Sequence, residues 1–238
     1  GGGGQRPAPR GAFGPGDMGR LVVVTGVGTE VGKTTLGVAL ARGLAASGLR
    51  VCGYKPVESG LGPGAGGDAG ALDDAGTFHV KPTPLYGFAE PISPHLAAER
   101  AGLQVDVEAI VAVVEAARKE VDVLLVELAG GLFTPLGPET DNANLLEALR
   151  PDEALLVVPD ALGALHHARA GEIAARARGL GPMHLVLVEP GRPDASTGTN
   201  SGALRGLFRG THHVPWRSAG LSAADLCSLL AVCRPSPV

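Results

Sequence analysis

The chain predicts an α/β fold in which a mostly parallel sheet lies between helices on both faces, and three observations carry that expectation. Short runs that are apolar at every position alternate with longer stretches of helical spacing, as expected of strands covered on both faces. The first run, residues 21–24, opens directly into the glycine-rich stretch Thr25-Gly26-Val27-Gly28-Thr29-Glu30-Val31-Gly32-Lys33-Thr34-Thr35. Lysines and carboxylates then stand at or just beyond the ends of later runs, Lys55 and Glu127 among them, where open parallel sheets bind their ligands.

Taken in order, the pattern predicts strands at 21–24, 49–52, 123–127, 154–158 and 185–188, and helices over 33–47, 107–119, 142–149 and 163–178. Residues 60–70 are glycine-rich and lack periodicity, so they read either as a mobile loop over the site or as a surface linker. The sequence Val214-Pro215-Trp216 reads as a late strand and turn, and 225–233 as a segment packed on the core. Asn200 and Ser201 read as caps of the helix that follows them. The 238 residues, 45 % hydrophobic, supply one sizeable core, giving a single domain over 20–238. Residues 1–19 are rich in Gly and Pro without a hydrophobic period and read as a disordered extension or a tag remnant, with Met18 a candidate natural start.

The glycine-rich stretch is a phosphate-binding loop, which makes the expected fold P-loop NTPase-like. Backbone N–H groups from Gly28 to Thr35 can curl around phosphate oxygens, and the helix starting near Gly32 directs its positive end at the anion. Lys33 reaches the outer phosphates, and the Thr34 hydroxyl is placed for Mg2+. The strict spacing is missed by one residue, because five positions rather than four separate Gly26 from Gly32.

Composition narrows the class further. A formal net charge of -4 and no run of Lys or Arg give no reason to expect a nucleic-acid partner. No apolar stretch approaches the roughly 18 residues of a membrane span, and the N-terminus lacks the apolar centre of a secretory signal. Cys52, Cys227 and Cys233 are odd in number and without metal spacing, as in a cytoplasmic protein with reduced thiols. His79, His95, His184, His212 and His213 fit no metal motif and read as structural or surface residues.

Four further stretches accompany the loop: Gly53-Tyr54-Lys55-Pro56-Val57-Glu58-Ser59-Gly60, Phe88-Ala89-Glu90-Pro91-Ile92-Ser93-Pro94-His95-Leu96-Ala97-Ala98, Val126-Glu127-Leu128-Ala129-Gly130-Gly131-Leu132-Phe133-Thr134-Pro135-Leu136 and Leu162-Gly163-Ala164-Leu165-His166-His167-Ala168. Together they resemble the GxxxxxGKT, KPVxSG, FAEPxSPHxA, VEGAGGxxxPL and LGxxNHA segments of the dethiobiotin synthetases, over residues 21–167. The resemblance implies an enzyme that uses CO2, a nucleoside triphosphate and Mg2+ to close the ureido ring on 7,8-diaminononanoate. It implies Thr34, Glu127 and Asp68 as metal ligands, with Asp73 and Asp74 as alternatives to Asp68. Lys33 and Lys55 would offset charge at the transferred phosphoryl group. Ser59 and Thr29 would contact the carbamate or the phosphates, or else shape their turns.

A homodimer with shared sites is also implied, with Gly163, Ala164, Leu165 and His166 of a neighbouring subunit receiving the substrate carboxylate at a helix N-terminus, although a simple helix start would look the same. Leu128 stands where the family has glycine, and crowding at the strand end is expected of it. His166 replaces an asparagine. Glu189 stands where an Asn-Asp pair is usual and reads either as an acceptor for the amino group of adenine or cytosine or as a solvated strand end, so ATP and CTP both remain open. One rival class is a switch ATPase of the partitioning or cell-division type. Such proteins carry an early lysine in the loop, where this chain has Gly26-Val27-Gly28. Another is a weakened homologue acting as a binding subunit, for which Leu128 is the main support.

Overall fold

The computed structural model describes residues 18–62, 67–215 and 226–235. The expectations for residues 1–17, the middle of the 60–70 segment, Trp216 and Asp225 fall outside them. In chain order the elements are β1 (Arg20–Gly26), α1 (Lys33–Ala46), β2 (Val51–Tyr54), β3 (Val57–Ser59), α2 (Asp68–Asp74), β4 (Tyr86–Phe88), α3 (Pro94–Arg100) and α4 (Val107–Arg118). These are followed by β5 (Val123–Glu127), α5 (Asn142–Leu149), β6 (Glu153–Pro159), α6 (Ala164–Ala177), β7 (His184–Val188), α7 (Asn200–Ala203), β8 (Gly210–Val214) and α8 (Cys227–Cys233).

Six strands form one sheet in the order β2-β5-β1-β6-β7-β8, and every neighbouring pair is parallel. The period of two sorts each strand's side chains between two cores. From β1, Leu21 and Val23 face one side and Val22 and Val24 the other, and Leu124 and Leu125 of β5 divide in the same way. The first core takes Ile110 and Val114 of α4, Leu145 and Leu149 of α5 and Ala168 of α6. The second takes Leu36, Leu40 and Leu44 of α1 and Leu229 and Leu230 of α8. The three α1 leucines are fully buried, each burial contributing about 1.5–3 kcal/mol, which fixes the helix that begins at the loop. Helix α5 starts where Asp141 and Asn144 cap each other reciprocally. No helix among the described residues is long and apolar enough to cross a membrane.

The structure departs from the sequence expectations in five places. Strand β2 begins and ends two residues later than expected, because Tyr54, at 1 % exposure, is a core residue rather than the start of a turn. A second, two-stranded parallel sheet of β3 and β4 was not expected. The glycine-rich segment ends in α2, so Asp68 opens a helix instead of lying on a loop. Asn200 is the first residue of α7 and does not cap it; its amide donates to Asp160 Oδ1 at 2.6 Å and to the Ser196 carbonyl at 3.1 Å. Val214 ends β8 rather than starting a strand. The 226–235 portion of the C-terminal segment packs on the second core, burying Leu229, Leu230 and Cys233.

Candidate active site

The loop from Gly26 to Lys33 joins the carboxyl end of β1 to the start of α1. Gly32, at φ 96°, occupies the left-handed region and is the N-cap of α1, a conformation that a Cβ would strain. The Lys33 ammonium, on a 6 % exposed residue, donates to the Gly28 carbonyl at 2.7 Å. The neighbouring 128–136 stretch closes against the loop through Leu132 N–H to the Gly26 carbonyl at 2.9 Å.

Beside the loop, residues from three elements, α1, α2 and β5, converge with Lys55, which lies one residue past β2. The Thr34 hydroxyl donates to Glu127 Oε1 at 2.9 Å. The Lys55 ammonium lies 2.9 Å from the same Oε1 and 2.6 Å from Asp68 Oδ2. Glu127 is 1 % exposed, and its Oε2 is buried without a hydrogen-bond partner. Two carboxylates and a hydroxyl form a hard-oxygen set suited to Mg2+, which keeps several waters and takes one or two carboxylates together with substrate phosphates. The unpartnered Oε2 is an acceptor such a cation would satisfy. Among the described residues no group of three or more His, Cys, Asp or Glu could hold a metal.

Burial and neighbouring charge set the ionisation of these groups. Burial lowers the Lys33 pKa, and the Lys55 charge adds to the effect against the opposing pull of Glu127 and Asp68. For Lys55 burial acts downward as well, but the charge of Glu127 and hydrogen bonds to Asp68 and Glu127 outweigh it and hold its pKa above the ordinary value. Asp68 is held low: burial pushes up, and the bond from Lys55 more than offsets it. Glu127 is raised, because its desolvation exceeds what Lys55 and Thr34 return. Lys55 and Glu127 thus both shift upward within one ion pair. The nearly complete enclosure of the carboxylate is the reason, since an opposite charge alone would lower its pKa.

These groups line a cleft of about 1360 Å3. Gly28, Thr29, Glu30, Gly32, Lys33, Thr34 and Thr35 form one wall, and Lys55, Ser59, Asp68 and Glu127 face them. The Ser59 hydroxyl is buried without a partner. Val31 does not line the cleft; its side chain packs over Gly26. Glu189 lies one residue past β7, its N–H bonded to the Val214 carbonyl at 3.0 Å, outside the cleft lining. Gly163, Ala164, Leu165 and His166 also lie outside it; α6 reaches the cleft one turn on, with His167, Ala170, Gly171 and Ala174. Asp73 is paired with Lys81 at 2.9 Å and His79 at 3.3 Å, and neither it nor Asp74 lines the cleft. The crowding expected of Leu128 does not occur: it is 1 % exposed in the first core, and Ala129, Gly130 and Gly131 line the cleft instead. Glu58 lines it too, a residue that sequence reasoning passed over. The available signal was an acid placed between Val57 and Ser59 in a short strand.

A phosphate loop at the end of a parallel strand, with its threonine bonded to a strand-end carboxylate, defines a P-loop nucleotide-binding protein. Residues 20–216 match the family model described as an AAA domain. Among solved structures, the septum site-determining protein MinD complexed with Mg-ADP from Pyrococcus horikoshii superposes with a TM-score of 0.53 at 18 % identity, covering 83 % of this chain and 82 % of that one. The signal recognition particle receptor FtsY from Elizabethkingia anophelis gives 0.52 at 20 %, over 92 % and 64 %. These likenesses concern the fold alone. The chain belongs to the dethiobiotin synthetase family: it is 39 % identical to the ATP-dependent dethiobiotin synthetase BioD of Nitrosospira multiformis over 67 % of this chain and 71 % of that protein. It is 40 % identical to the Ralstonia nicotianae protein of the same description, over 66 % and 71 %.

Proposed function

We propose that the chain is a dethiobiotin synthase, a ligase that forms C–N bonds at the expense of a nucleoside triphosphate. The observation that carries the reading is the bonded cluster of Thr34, Lys55, Asp68 and Glu127 beside the phosphate loop, on a chain that shares 39–40 % identity with dethiobiotin synthetases. One amine of 7,8-diaminononanoate captures CO2 as a carbamate. A carbamate oxygen then attacks the γ-phosphorus, expelling the nucleoside diphosphate. The second amine displaces phosphate from the resulting mixed anhydride, and the five-membered urea closes.

The protein's own groups supply position and charge rather than a nucleophile. Backbone N–H groups of 28–35 hold the phosphates, and Lys33 leaves the Gly28 carbonyl to reach them. Lys55, kept protonated by its two carboxylate neighbours, offsets charge developing on the transferred phosphoryl group. The unpartnered Ser59 hydroxyl and Thr29 orient the carbamate. Thr34, Asp68 and Glu127 would hold Mg2+, whose chemistry is to neutralise charge across the outer phosphates. ATP is the triphosphate in the names of the relatives; CTP is the alternative, with Glu189 near the base.

The chain acts as a cytoplasmic homodimer in this reading. Its three cysteines are free, and α6 with its preceding turn exposes Leu162 at 88 %, Leu165 at 39 % and Ile173 at 61 %, apolar surface that a second subunit would cover. Gly163, Ala164, Leu165 and His166, outside their own chain's cleft, would then serve the partner's substrate carboxylate. Incubation with ATP, Mg2+, bicarbonate and 7,8-diaminononanoate tests the proposal. Dethiobiotin detected by mass supports it, and an unchanged diamine refutes it.

A further inference from the structure

We infer that Glu58 is a positioning residue for Asp68: from β3, its carboxylate caps helix α2 and thereby holds Asp68 against Lys55. Glu58 is 6 % exposed. Its Oε1 accepts the Asp68 N–H at 2.6 Å and its Oε2 the Ala69 N–H at 3.0 Å. The first N–H groups of a helix have no partner within it, and the local N-cap, Gly67, has no side chain to offer one. The cap therefore comes from a residue ten positions earlier in the chain. A carboxylate there also meets the positive end of the helix.

Gly67 is fitted to this arrangement. A Cβ on it would stand 2.6 Å from Glu58 Oε2 and 2.7 Å from Oε1, so any larger residue would push the carboxylate off the helix. Asp68 needs such an anchor, because its side chain is 52 % exposed and packing does not fix it. Beyond the first turn, Leu72 is buried and holds the rest of α2 to the core. Losing the cap should thus loosen the Asp68 end of the helix while the helix itself remains.

The inference rests on the proposed role of Asp68 toward Mg2+, and its readout is separate from ligation. Mg2+ is titrated calorimetrically into the full chain loaded with a non-hydrolysable ATP analogue, for wild type, Glu58→Ala, Glu58→Gln and Gly67→Ala. Removing an outer partner of a metal-ligating group typically weakens metal affinity ~10- to 100-fold. Glu58→Ala and Gly67→Ala should fall in that range, with metal-free nucleotide affinity unchanged. Glu58→Gln, which keeps one acceptor, should lie between them and wild type. Amide exchange at Asp68 and Ala69 should accelerate in Glu58→Ala, and excess Mg2+ should restore its nucleotide turnover. Unchanged Mg2+ affinity in Glu58→Ala overturns the inference. So does a loss of turnover that excess Mg2+ does not restore, which would mark a purely structural role. A wild type that makes no dethiobiotin yet shows the Mg2+ defect in these variants would sink the functional reading and leave this one standing.

Discussion

The Thr34 hydroxyl donates to Glu127 Oε1 across 2.9 Å, tying the first turn of α1 to the last residue of β5. That bond aligns the phosphate loop with the strand-end carboxylate, and Lys55 meets the same oxygen at 2.9 Å. Perturbing either side of it should change nucleotide chemistry before it changes the fold.

In the proposed role Lys55 offsets charge on the transferred phosphoryl group, so in Lys55→Ala turnover should fall by about a hundredfold to a thousandfold. The substitution also strands Glu127 in the interior, where breaking a buried pair costs about 3–5 kcal/mol. Lys33→Ala should abolish turnover at a smaller cost in stability, since its partner is a loop carbonyl. Steady-state kinetics alongside thermal melts check both, and near wild-type turnover in either variant contradicts the assigned roles.

Nucleotide should stabilise the chain by mass action, about 2.7 kcal/mol at a hundredfold excess over Kd. If Glu127 and Asp68 hold Mg2+, the metal adds to the rise in melting temperature given by ATP alone, and chelation removes that increment. In Glu127→Gln the metal increment should vanish while the nucleotide increment persists.

Leu128 is a core residue, so Leu128→Ala should cost about 2–5 kcal/mol of stability and leave turnover per folded molecule unaltered. Denaturant unfolding combined with kinetics on the folded fraction checks this. A specific loss of catalysis would return Leu128 to the site.

At the opposite end of the sheet, buried Glu153 contacts Arg20 at 2.6 Å, Arg209 at 3.1 Å and His184 at 3.2 Å. His184 meets His212, which meets Ser228. Burial lowers the pKa of both histidines: at His184 it outweighs the attraction of Glu153, and at His212 the charge of His184 adds to it. The unfolded chain therefore binds more protons below the ordinary histidine pKa of about 6.5, so the stability tied to the neutral rings is full above that pH and lost as pH falls. Thermal melts should show this loss between about pH 7 and pH 5, and His184→Gln with His212→Gln should flatten it.

If the proposed dimer shares its sites, Leu165→Asp, at an exposed position, should yield a folded monomer. Its KM for the diamine should rise and its affinity for nucleotide should not change. Light scattering and titration separate these effects, and a dimeric variant with normal KM counts against the interface.

The parts of this architecture legible in the sequence are those where chemistry or burial dictates residue type. Arg20–Gly26, the loop and Lys33–Ala46 follow from an apolar run, glycines and a Lys-Thr pair in fixed order. Val123–Glu127 is likewise apolar up to its terminal acid. Helix α2 was hidden because its cap is Glu58, a non-local residue that no window around Asp68 contains. Strands β3 and β4, at three residues each, are too short to show a period. Leu128 was misread because sequence places it beside Glu127 without saying that its side chain turns into the first core. Which face of α6 reaches the cleft depends on how the helix rotates against β6, so the approach of His167, Ala170, Gly171 and Ala174 was not legible in the sequence.

Coupling of nucleotide turnover to ring closure is read by counting phosphate released and dethiobiotin formed together in the presence of Mg2+, bicarbonate and ATP. Phosphate release should require 7,8-diaminononanoate and match, molecule for molecule, a product heavier than the diamine by one carbonyl less two hydrogens. Phosphate release that is indifferent to the diamine would contradict the coupling, and would turn the reading toward a switch ATPase.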